Sequence, residues 1–227
     1  MALVDIFFPR FCFGCGFIGS YLCLKCESGL VPSDESCFYC HKKSHFGLTH
    51  PKCKKRWGVD GFICLYKYNN TFKSVLKKIK YGLVKDSSRE IFPILLKEAV
   101  GPLSFYKKTY KDICLQPVPL HAEKEKKRGF NQSDIISYYI SRFYFIKKVE
   151  IAKRIINTKS QAELFLSRDR LNNMRGAFCT EVIGGAVPGT IMIVDDVVTT
   201  GSTVKELAMI FKKNQISRVF VFSLAKG

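Results

Sequence analysis

Apolar and polar positions follow two different periods along this chain. Short apolar runs of strand length occur at residues 62–68, 113–119, 191–194 and 218–225. Between them, apolar residues spaced three and four apart predict helices over residues 71–81, 86–99, 131–145 and 202–213. A further strand is predicted near residues 149–155, and the segment that follows Leu120 is predicted to be a charged loop. Strands that alternate with helices favour an α/β fold with a mostly parallel sheet covered on both faces.

Length and charge narrow the class of protein. The 227 residues contain no apolar run of the ~18 residues that a membrane helix needs, so no transmembrane segment is expected. The N-terminus lacks the features of a signal peptide, and we expect a cytoplasmic protein. The formal net charge of +18 favours polyanionic partners such as nucleic acid or phosphorylated metabolites. In the helix over 71–81, Lys73, Lys77 and Lys80 are predicted to form a solvated basic face.

Cysteines cluster near the N-terminus in a pattern typical of metal sites. The three pairs Cys12–Cys15, Cys23–Cys26 and Cys37–Cys40 each have two intervening residues, and Cys53 follows. Four thiolates complete a tetrahedral zinc site, and the simplest assignment places Cys12, Cys15, Cys23 and Cys26 on one structural zinc. A segment this small buries little apolar surface, so a bound metal would replace a core.

The remaining cysteines leave several arrangements open. Cys37, Cys40 and Cys53 are one ligand short of a second site, because Arg56 stands where a fourth pair would end. A histidine could complete the site, the site could be lost, or the pairs could interleave. The three histidines available are His41, His45 and His50. The basic run at residues 52–56 permits nucleic-acid binding without requiring it.

The stretch "IMIVDDVVTTGST" (residues 191–203) carries the most specific chemistry. It predicts a buried strand, two adjacent carboxylates, a loop rich in hydroxyl groups, and a helix. Gly201 lets the backbone approach an anion, and the start of the helix adds its positive dipole end. Asp195 and Asp196 repel a phosphate but can accept hydrogen bonds from vicinal hydroxyls, directly or through Mg²⁺. A diol beside a phosphate describes a ribose 5-phosphate.

These residues resemble a known family. The stretch is similar to the diphosphoribosyl-binding motif of type I phosphoribosyltransferases. More narrowly, the cysteine array, "PVPL" (117–120), "RGFNQ" (128–132) and the R-x-x-N-x-x-G-A-F string from Arg170 to Phe178 resemble the ComF family of competence-associated proteins. The resemblance implies a type I phosphoribosyltransferase fold over residues 61–227 and a zinc-ribbon-like module over residues 1–60.

The resemblance also implies roles for individual residues. Asp195 and Asp196 would hold the ribose hydroxyls of phosphoribosyl diphosphate with Mg²⁺, and Leu120 and His121 would lie at its pyrophosphate. The 5-phosphate would bind to Thr199, Thr200, Gly201, Ser202 and Thr203. A mobile loop over residues 159–175 would carry three basic candidates for the pyrophosphate, namely Lys159, Arg168 and Arg170.

The function implied is phosphoribosyl transfer to an unidentified acceptor, in a protein that handles incoming single-stranded DNA during natural transformation. It would act in the cytoplasm at the inner face of the membrane, beside the membrane-associated DNA-import machinery. The alternative is a binding module, either a sensor of phosphoribosyl diphosphate or a single-stranded DNA adaptor. A purine or pyrimidine salvage enzyme fits least, because of the ComF-type motifs and the cysteine module.

Overall fold

The computed structural model describes residues 9–82, 85–156, 176–180 and 188–227. The helices in these ranges are α1 (Leu24–Ser28), α2 (Asn70–Gly82), α3 (Lys85–Leu95), α4 (Val100–Thr109), α5 (Ala122–Arg128), α6 (Gln132–Tyr144) and α7 (Ser202–Lys213). The strands are β1 (Gly61–Lys67), β2 (Ile113–Pro117), β3 (Lys147–Lys148), β4 (Ala152–Arg154), β5 (Phe178–Thr180), β6 (Thr190–Val198) and β7 (Arg218–Lys226). No helix of these residues is long and apolar enough to cross a lipid bilayer.

Five strands form one sheet in the order β1-β7-β6-β2-β3, and each neighbouring pair is parallel. β4 and β5 form a separate antiparallel pair. The central strands β6 and β7 are buried along most of their length, as strands covered on both faces should be. The prediction of an α/β fold with a mostly parallel sheet is therefore confirmed.

Two apolar clusters occupy the two faces of this sheet. One contains the inward residues of α2, α3, α4 and α6, including Ile136, and the other contains those of α7, including Leu207. Alternation along β6 places Met192 in the first cluster and Ile193 in the second. The helix α6 after β2 and the helix α7 after β6 thus lie on opposite faces, although β2 and β6 are neighbours. Ligands of open α/β sheets bind at such a switch point, outside the carboxyl ends of the strands.

The segment after Leu120 is a helix, and the prediction of a charged loop was wrong. The ring of His121 accepts the N–H of Glu123 at the first turn of α5, and Gly129 ends the helix with a φ of 81°. Acidic residues lie in its first turn and basic residues in its last, which matches the helix dipole. The caps and the charges at its two ends favour this helix, which has no apolar stripe. Apolar periodicity in the sequence therefore does not predict it.

Two further boundaries differ from the sequence prediction. The helix expected to reach Ala99 ends at Leu95, and a 3₁₀ turn and α4 follow it. Gly101 and Pro102 obscure α4 in the sequence, yet a proline in the first turn of a helix has no N–H bond to lose. β6 extends past residue 194 to Val198, so both aspartates lie within the strand.

Candidate functional site

The first cysteine cluster has the geometry of a four-thiolate metal centre. The Sγ atoms of Cys12, Cys15, Cys23 and Cys26 lie within 4.8 Å of one another. The Cys23 Sγ is 3.7 Å from the Sγ atoms of both Cys12 and Cys15. A Cβ added to Gly14 would lie 2.5 Å from the Cys26 Sγ, so the turn between the first two cysteines needs a residue without a side chain.

Local backbone groups favour thiolate at Cys12. Burial acts to raise the pKa of this thiol, but the N–H groups of Cys23, Cys15 and Gly14 outweigh burial and lower it to about 6. Thiolate is the form that binds metal. The donor set and its electrostatics therefore fit a structural zinc ion.

A histidine completes the second cluster. The ligand atoms of Cys37, Cys40, His50 and Cys53 also lie within 4.8 Å of one another, and the His50 Nδ1 is 3.3 Å from the Cys40 Sγ. The His50 Nε2 lies 3.1 Å from the carbonyl oxygen of Lys43. A histidine that binds metal commonly donates its other ring N–H to such an acceptor, so this set also fits zinc.

The two clusters differ in how they pack against the sheet. Cys12 and Cys26 belong to the apolar cluster beneath α2, α3, α4 and α6. Phe38, which follows Cys37 of the second cluster, belongs to the apolar cluster beneath α7, whereas Phe46 and Leu48, between Cys40 and His50, pack against the first apolar cluster. A Cβ on Gly201 would lie 2.6 Å from the Phe38 Cζ, so the second cluster is in close contact with the predicted phosphate loop.

The two aspartates lie at the carboxyl end of β6, at the switch point. Asp196 is buried, with 9% of its surface exposed, and Asp195 is half-buried. Two groups from other elements reach them. The Lys80 Nζ lies 2.9 Å from the Asp196 Oδ2, and the Ser133 hydroxyl donates to the Asp195 Oδ1 at 3.3 Å.

Burial dominates the electrostatics of this pair. Burial and then the Asp196 carboxylate raise the pKa of Asp195 to about 8, against Lys80 and two hydrogen bonds that lower it. Burial lowers the pKa of Lys80, but Asp196 outweighs burial and raises it overall. Arg154 is close enough for the Asp195 charge to raise its pKa, although burial, the larger effect, lowers it. Two cations therefore adjoin the aspartates.

The motif "RGFNQ" holds the elements of the site together. The Asn131 side chain caps α6 by accepting the Ser133 N–H at 3.1 Å, and its amide donates to the Val118 carbonyl at 3.0 Å. Gln132 accepts from Arg128 at 2.8 Å and donates to the backbone carbonyl of Lys80 at 3.3 Å. These bonds fix the start of α6 to the end of β2 and to α2.

The loop from Thr199 to Thr203 joins β6 to α7. Gly201 has a φ of 72° and precedes the first residue of α7, and the Thr200 hydroxyl donates to the Ser202 hydroxyl at 3.2 Å. The Lys205 Nζ donates to the Thr200 carbonyl at 3.0 Å. Burial, followed by the charges of Lys55 and Lys226, lowers the pKa of Lys205. A basic cluster of Lys55, Lys205 and Lys226 thus adjoins the loop.

Of the other predicted site residues, two lie next to β2 and three fall outside the part of the chain that the structure describes. Leu120 and His121 follow β2, the neighbour of β6, and His121 caps α5. The mobile-loop candidates Lys159, Arg168 and Arg170 lie outside the described residues.

Sequence reasoning missed Lys80, Ser133, Arg154 and Lys205. The prediction that Lys80 lies on the solvated face was wrong, since its side chain is 29% exposed and paired, whereas Lys73 and Lys77 are exposed. Lys80 has the helical spacing of a surface lysine, and its partner is 116 positions away in the chain. The tertiary fold alone brings the two together.

Comparison with known proteins finds relatives whose names refer to competence and to DNA utilization. The chain is 31% identical over 166 residues to Competence protein F of Haemophilus influenzae, an alignment that covers 71% of this chain and 65% of the relative. It is 36% identical over 110 residues to DNA utilization protein YhgH of Escherichia coli, covering 48% of this chain and 47% of the relative. It is 24% identical over 253 residues to Competence protein ComFC of Bacillus subtilis, covering 93% and 98%. The chain thus spans less than two thirds of the first two relatives. No family model matches the chain.

Proposed function

Because this chain belongs to the ComF family, we propose that it binds phosphoribosyl diphosphate with Mg²⁺ and acts in the handling of incoming DNA. The observation that carries the ligand proposal is the position of Asp195 and Asp196. They lie at the switch point of the sheet, directly before a loop of hydroxyl-bearing residues. In open α/β sheets this is the ordinary place for a ligand.

Each part of the site has a chemical role toward this ligand. Asp195 and Asp196 accept hydrogen bonds from the vicinal ribose hydroxyls, and the residues from Thr199 to Thr203 bind the 5-phosphate through hydroxyl and N–H donors. Lys80 orients the Asp196 carboxylate. Arg154 lies on the Asp195 side, where its charge favours the diphosphate.

The carboxylate pair fits Mg²⁺ because hard cations prefer oxygen ligands. A bound Mg²⁺ would neutralise diphosphate charge. We propose phosphoribosyl transfer as the reaction class: the bond from C1 to the diphosphate oxygen breaks, pyrophosphate leaves with that electron pair, and an acceptor forms a new bond to C1. A bound Mg²⁺ would favour the ionised form of Asp195 despite its raised pKa, and the two carboxylates would then stabilise positive charge that develops on the ring.

The role in DNA handling rests on the relatives. Two carry the name competence protein, and another is a DNA utilization protein. The net charge of +18 supports a polyanionic partner. We place this role in natural transformation, with single-stranded DNA as the nucleic acid, on the cytoplasmic side of the membrane beside the import machinery.

A thermal-shift titration tests the ligand proposal. Phosphoribosyl diphosphate with Mg²⁺ should raise the melting temperature, since a ligand that binds the native state alone stabilises it. The shift should disappear in Asp195→Asn and Asp196→Asn but persist in Asp34→Asn, a change at an exposed surface carboxylate. Equal shifts in all four proteins would refute binding at the aspartates.

A second candidate function is a binding module without turnover. The basic cluster of Lys55, Lys205 and Lys226 supports this function, because cations beside the loop attract a polyanion whether or not a reaction follows. Pyrophosphate release separates the two functions. An enzyme releases pyrophosphate when its acceptor, single-stranded DNA included, is added, whereas a sensor or adaptor binds the ligand and releases none.

A further inference from the structure

A groove with basic and aromatic walls lies where α4 ends beside the end of α6. It has a volume of about 560 Å³. Three lysines and three aromatic residues line it: Lys107, Lys108, Lys111, Phe143, Tyr144 and Phe145. We call it the α4–α6 groove.

The two phenylalanines at this groove are not part of the core, whereas Tyr144 packs against the core and donates its hydroxyl to the Leu96 carbonyl at 3.0 Å. Phe145 is 82% exposed and Phe143 is 43% exposed. Tyr138, at 52% exposed, and Arg142, which is also exposed, are four residues apart on α6 and therefore lie on the same side of the helix.

The backbone at Phe145 is unusual for an aromatic residue. Phe145 follows the last residue of α6 with a φ of 53° and a ψ of 44°, in the left-handed region. Glycine or asparagine ordinarily occupies this position, because a Cβ is strained there. Helix termination therefore does not explain a phenylalanine at this position, and a strained exposed residue points to a binding role.

The charges at the groove select an anionic ligand. Lys107, Lys108 and Lys111 are exposed, and within the described part of the chain none of them forms an ion pair. The Lys107 Nζ lies 5.3 Å from the centroid of the Phe145 ring. Exposed rings beside free cations match single-stranded nucleic acid, whose bases stack on aromatic faces while its phosphates contact lysine.

We propose that the α4–α6 groove binds single-stranded DNA. Bases stack on Phe145 and Phe143, and phosphates contact the three lysines. The proposal rests on the DNA-handling part of the proposed function and adds a location. The groove lies at the C-terminal end of α6. Ser133, which contacts Asp195, lies at the N-terminal end, so the groove and the aspartate site are roughly 18 Å apart along the helix.

Fluorescence anisotropy with a labelled oligothymidylate, repeated over a range of salt concentrations, tests the charge component. The variant with Lys107, Lys108 and Lys111 changed to Gln should bind more weakly, and the slope of log K against log salt should flatten by about 2, since each phosphate contact contributes about 0.7. The control changes Lys73, Lys77 and Lys78, three exposed lysines on α2, to Gln and alters the net charge equally. Equal weakening in both variants would mean general charge attraction and would overturn the proposal.

Three substitutions of Phe145 test the stacking component. Phe145→Gly and Phe145→Leu should each weaken binding roughly 5- to 150-fold, the loss expected for one stacked base, whereas Phe145→Trp should retain it. Phe145→Gly also relieves the backbone strain, so its melting temperature should not fall, which separates lost binding from misfolding.

Other outcomes identify what has failed. If Phe145→Leu binds as well as wild type, the ring is not a stacking platform and the proposal is overturned. If the groove variants instead lose binding to phosphatidylserine vesicles and keep DNA binding, the groove is a membrane contact.

If changing Lys52, Lys54 and Lys55 to Gln abolishes DNA binding while the groove variants keep it, the groove proposal fails and DNA handling stands. If the wild-type protein binds no single-stranded DNA, both fail.

Discussion

Lys80 forms an ion pair with little access to water inside the candidate site. Its ammonium group holds Asp196 at 2.9 Å, and the Asp196 side chain is only 12% exposed. Removing the cation leaves a carboxylate with little access to water. Lys80→Met should therefore lower the free energy of unfolding by about 2 kcal/mol, between the values for surface and fully buried pairs.

The exposed pair of Lys67 and Asp34 is a matched control for this measurement. Its atoms are 3.0 Å apart, but the side chains are 53% and 87% exposed. Chemical denaturation of Lys67→Met should show a loss below about 1 kcal/mol. Equal losses in the two variants would show that the Lys80–Asp196 pair behaves as a surface pair.

Asp195 should make stability depend on pH in an identifiable direction. Its pKa is raised from 3.8 to about 8 in the folded protein, so the folded state binds the proton more tightly than the unfolded state does. Protonation of Asp195 therefore contributes to the free energy of unfolding. This contribution is complete below about pH 4 and is lost as the pH rises through 8. Asp195→Asn has no proton to lose, so relative to wild type it should gain several kcal/mol between pH 4 and pH 8, with about 6 kcal/mol as the upper bound because one pKa unit corresponds to about 1.4 kcal/mol.

Denaturation of wild type and Asp195→Asn at a series of pH values measures this gain. Asp34→Asn, at an exposed carboxylate, should track the wild-type curve. A stability difference between Asp195→Asn and wild type that stays constant with pH would show that the pKa of Asp195 is not raised.

The two cysteine clusters belong to the scale of elements, because a metal ion in each one would hold a short segment against the sheet. Wild-type protein should release two zinc ions per chain, one from each cluster. His50→Ala should release about one, and His50→Cys should keep two because a thiolate can replace the imidazole. His45→Ala is the control, since His45 lies outside both clusters. Zinc released on denaturation, measured with a chromogenic chelator, gives the count, and two ions from His50→Ala would exclude His50 as a ligand.

Elements with strong local signals could be predicted from the sequence, and those stabilised by distant contacts could not. α7 was predicted from Ser202 to Lys213, as observed, because its apolar stripe and preceding glycine are local. α5 was missed because its stability comes from charges and a histidine cap rather than from an apolar face. The extension of β6 through Asp195 and Asp196 depends on pairing with β7, which no local pattern shows.

The residues of the candidate site also fall into those with a local sequence signal and those brought together by the fold. The aspartates and the loop from Thr199 to Thr203 form one contiguous motif, so the sequence alone indicated them. Lys80, Ser133 and Arg154 come from three other elements, and the fold brings them to the motif. The sequence also left open which histidine joins Cys37, Cys40 and Cys53, and the three-dimensional arrangement places His50 there. The division of the chain at residue 60 stays a prediction.

At the scale of the whole molecule, the segment of the second cysteine cluster and the loop from Thr199 to Thr203 are in contact. Phe38 packs against Gly201, and the Lys226 Nζ lies 2.7 Å from the His41 Nδ1. Loss of the second metal should therefore loosen the loop, and His50→Ala should weaken binding of phosphoribosyl diphosphate about five-fold or more, the lower end of ordinary coupling between sites.

The first metal cluster provides the comparison for this coupling. Cys15→Ser disturbs a cluster that packs on the opposite face of the sheet, so its effect on ligand affinity should be smaller. Titration calorimetry on both variants measures the difference. Equal losses of affinity would indicate general destabilisation instead of a specific contact between the second cluster and the loop.

The role proposed for Asp195 and Asp196 is to bind the vicinal hydroxyls of a phosphorylated ribose, and two sugars that differ by one hydroxyl test that role. Calorimetric titration should show that ribose 5-phosphate binds at least about ten-fold more tightly than 2-deoxyribose 5-phosphate, as expected for a lost hydrogen bond to a charged group. The difference should vanish in the double variant of Asp195→Asn and Asp196→Asn. Equal affinities of the wild-type protein for the two sugars would contradict the account.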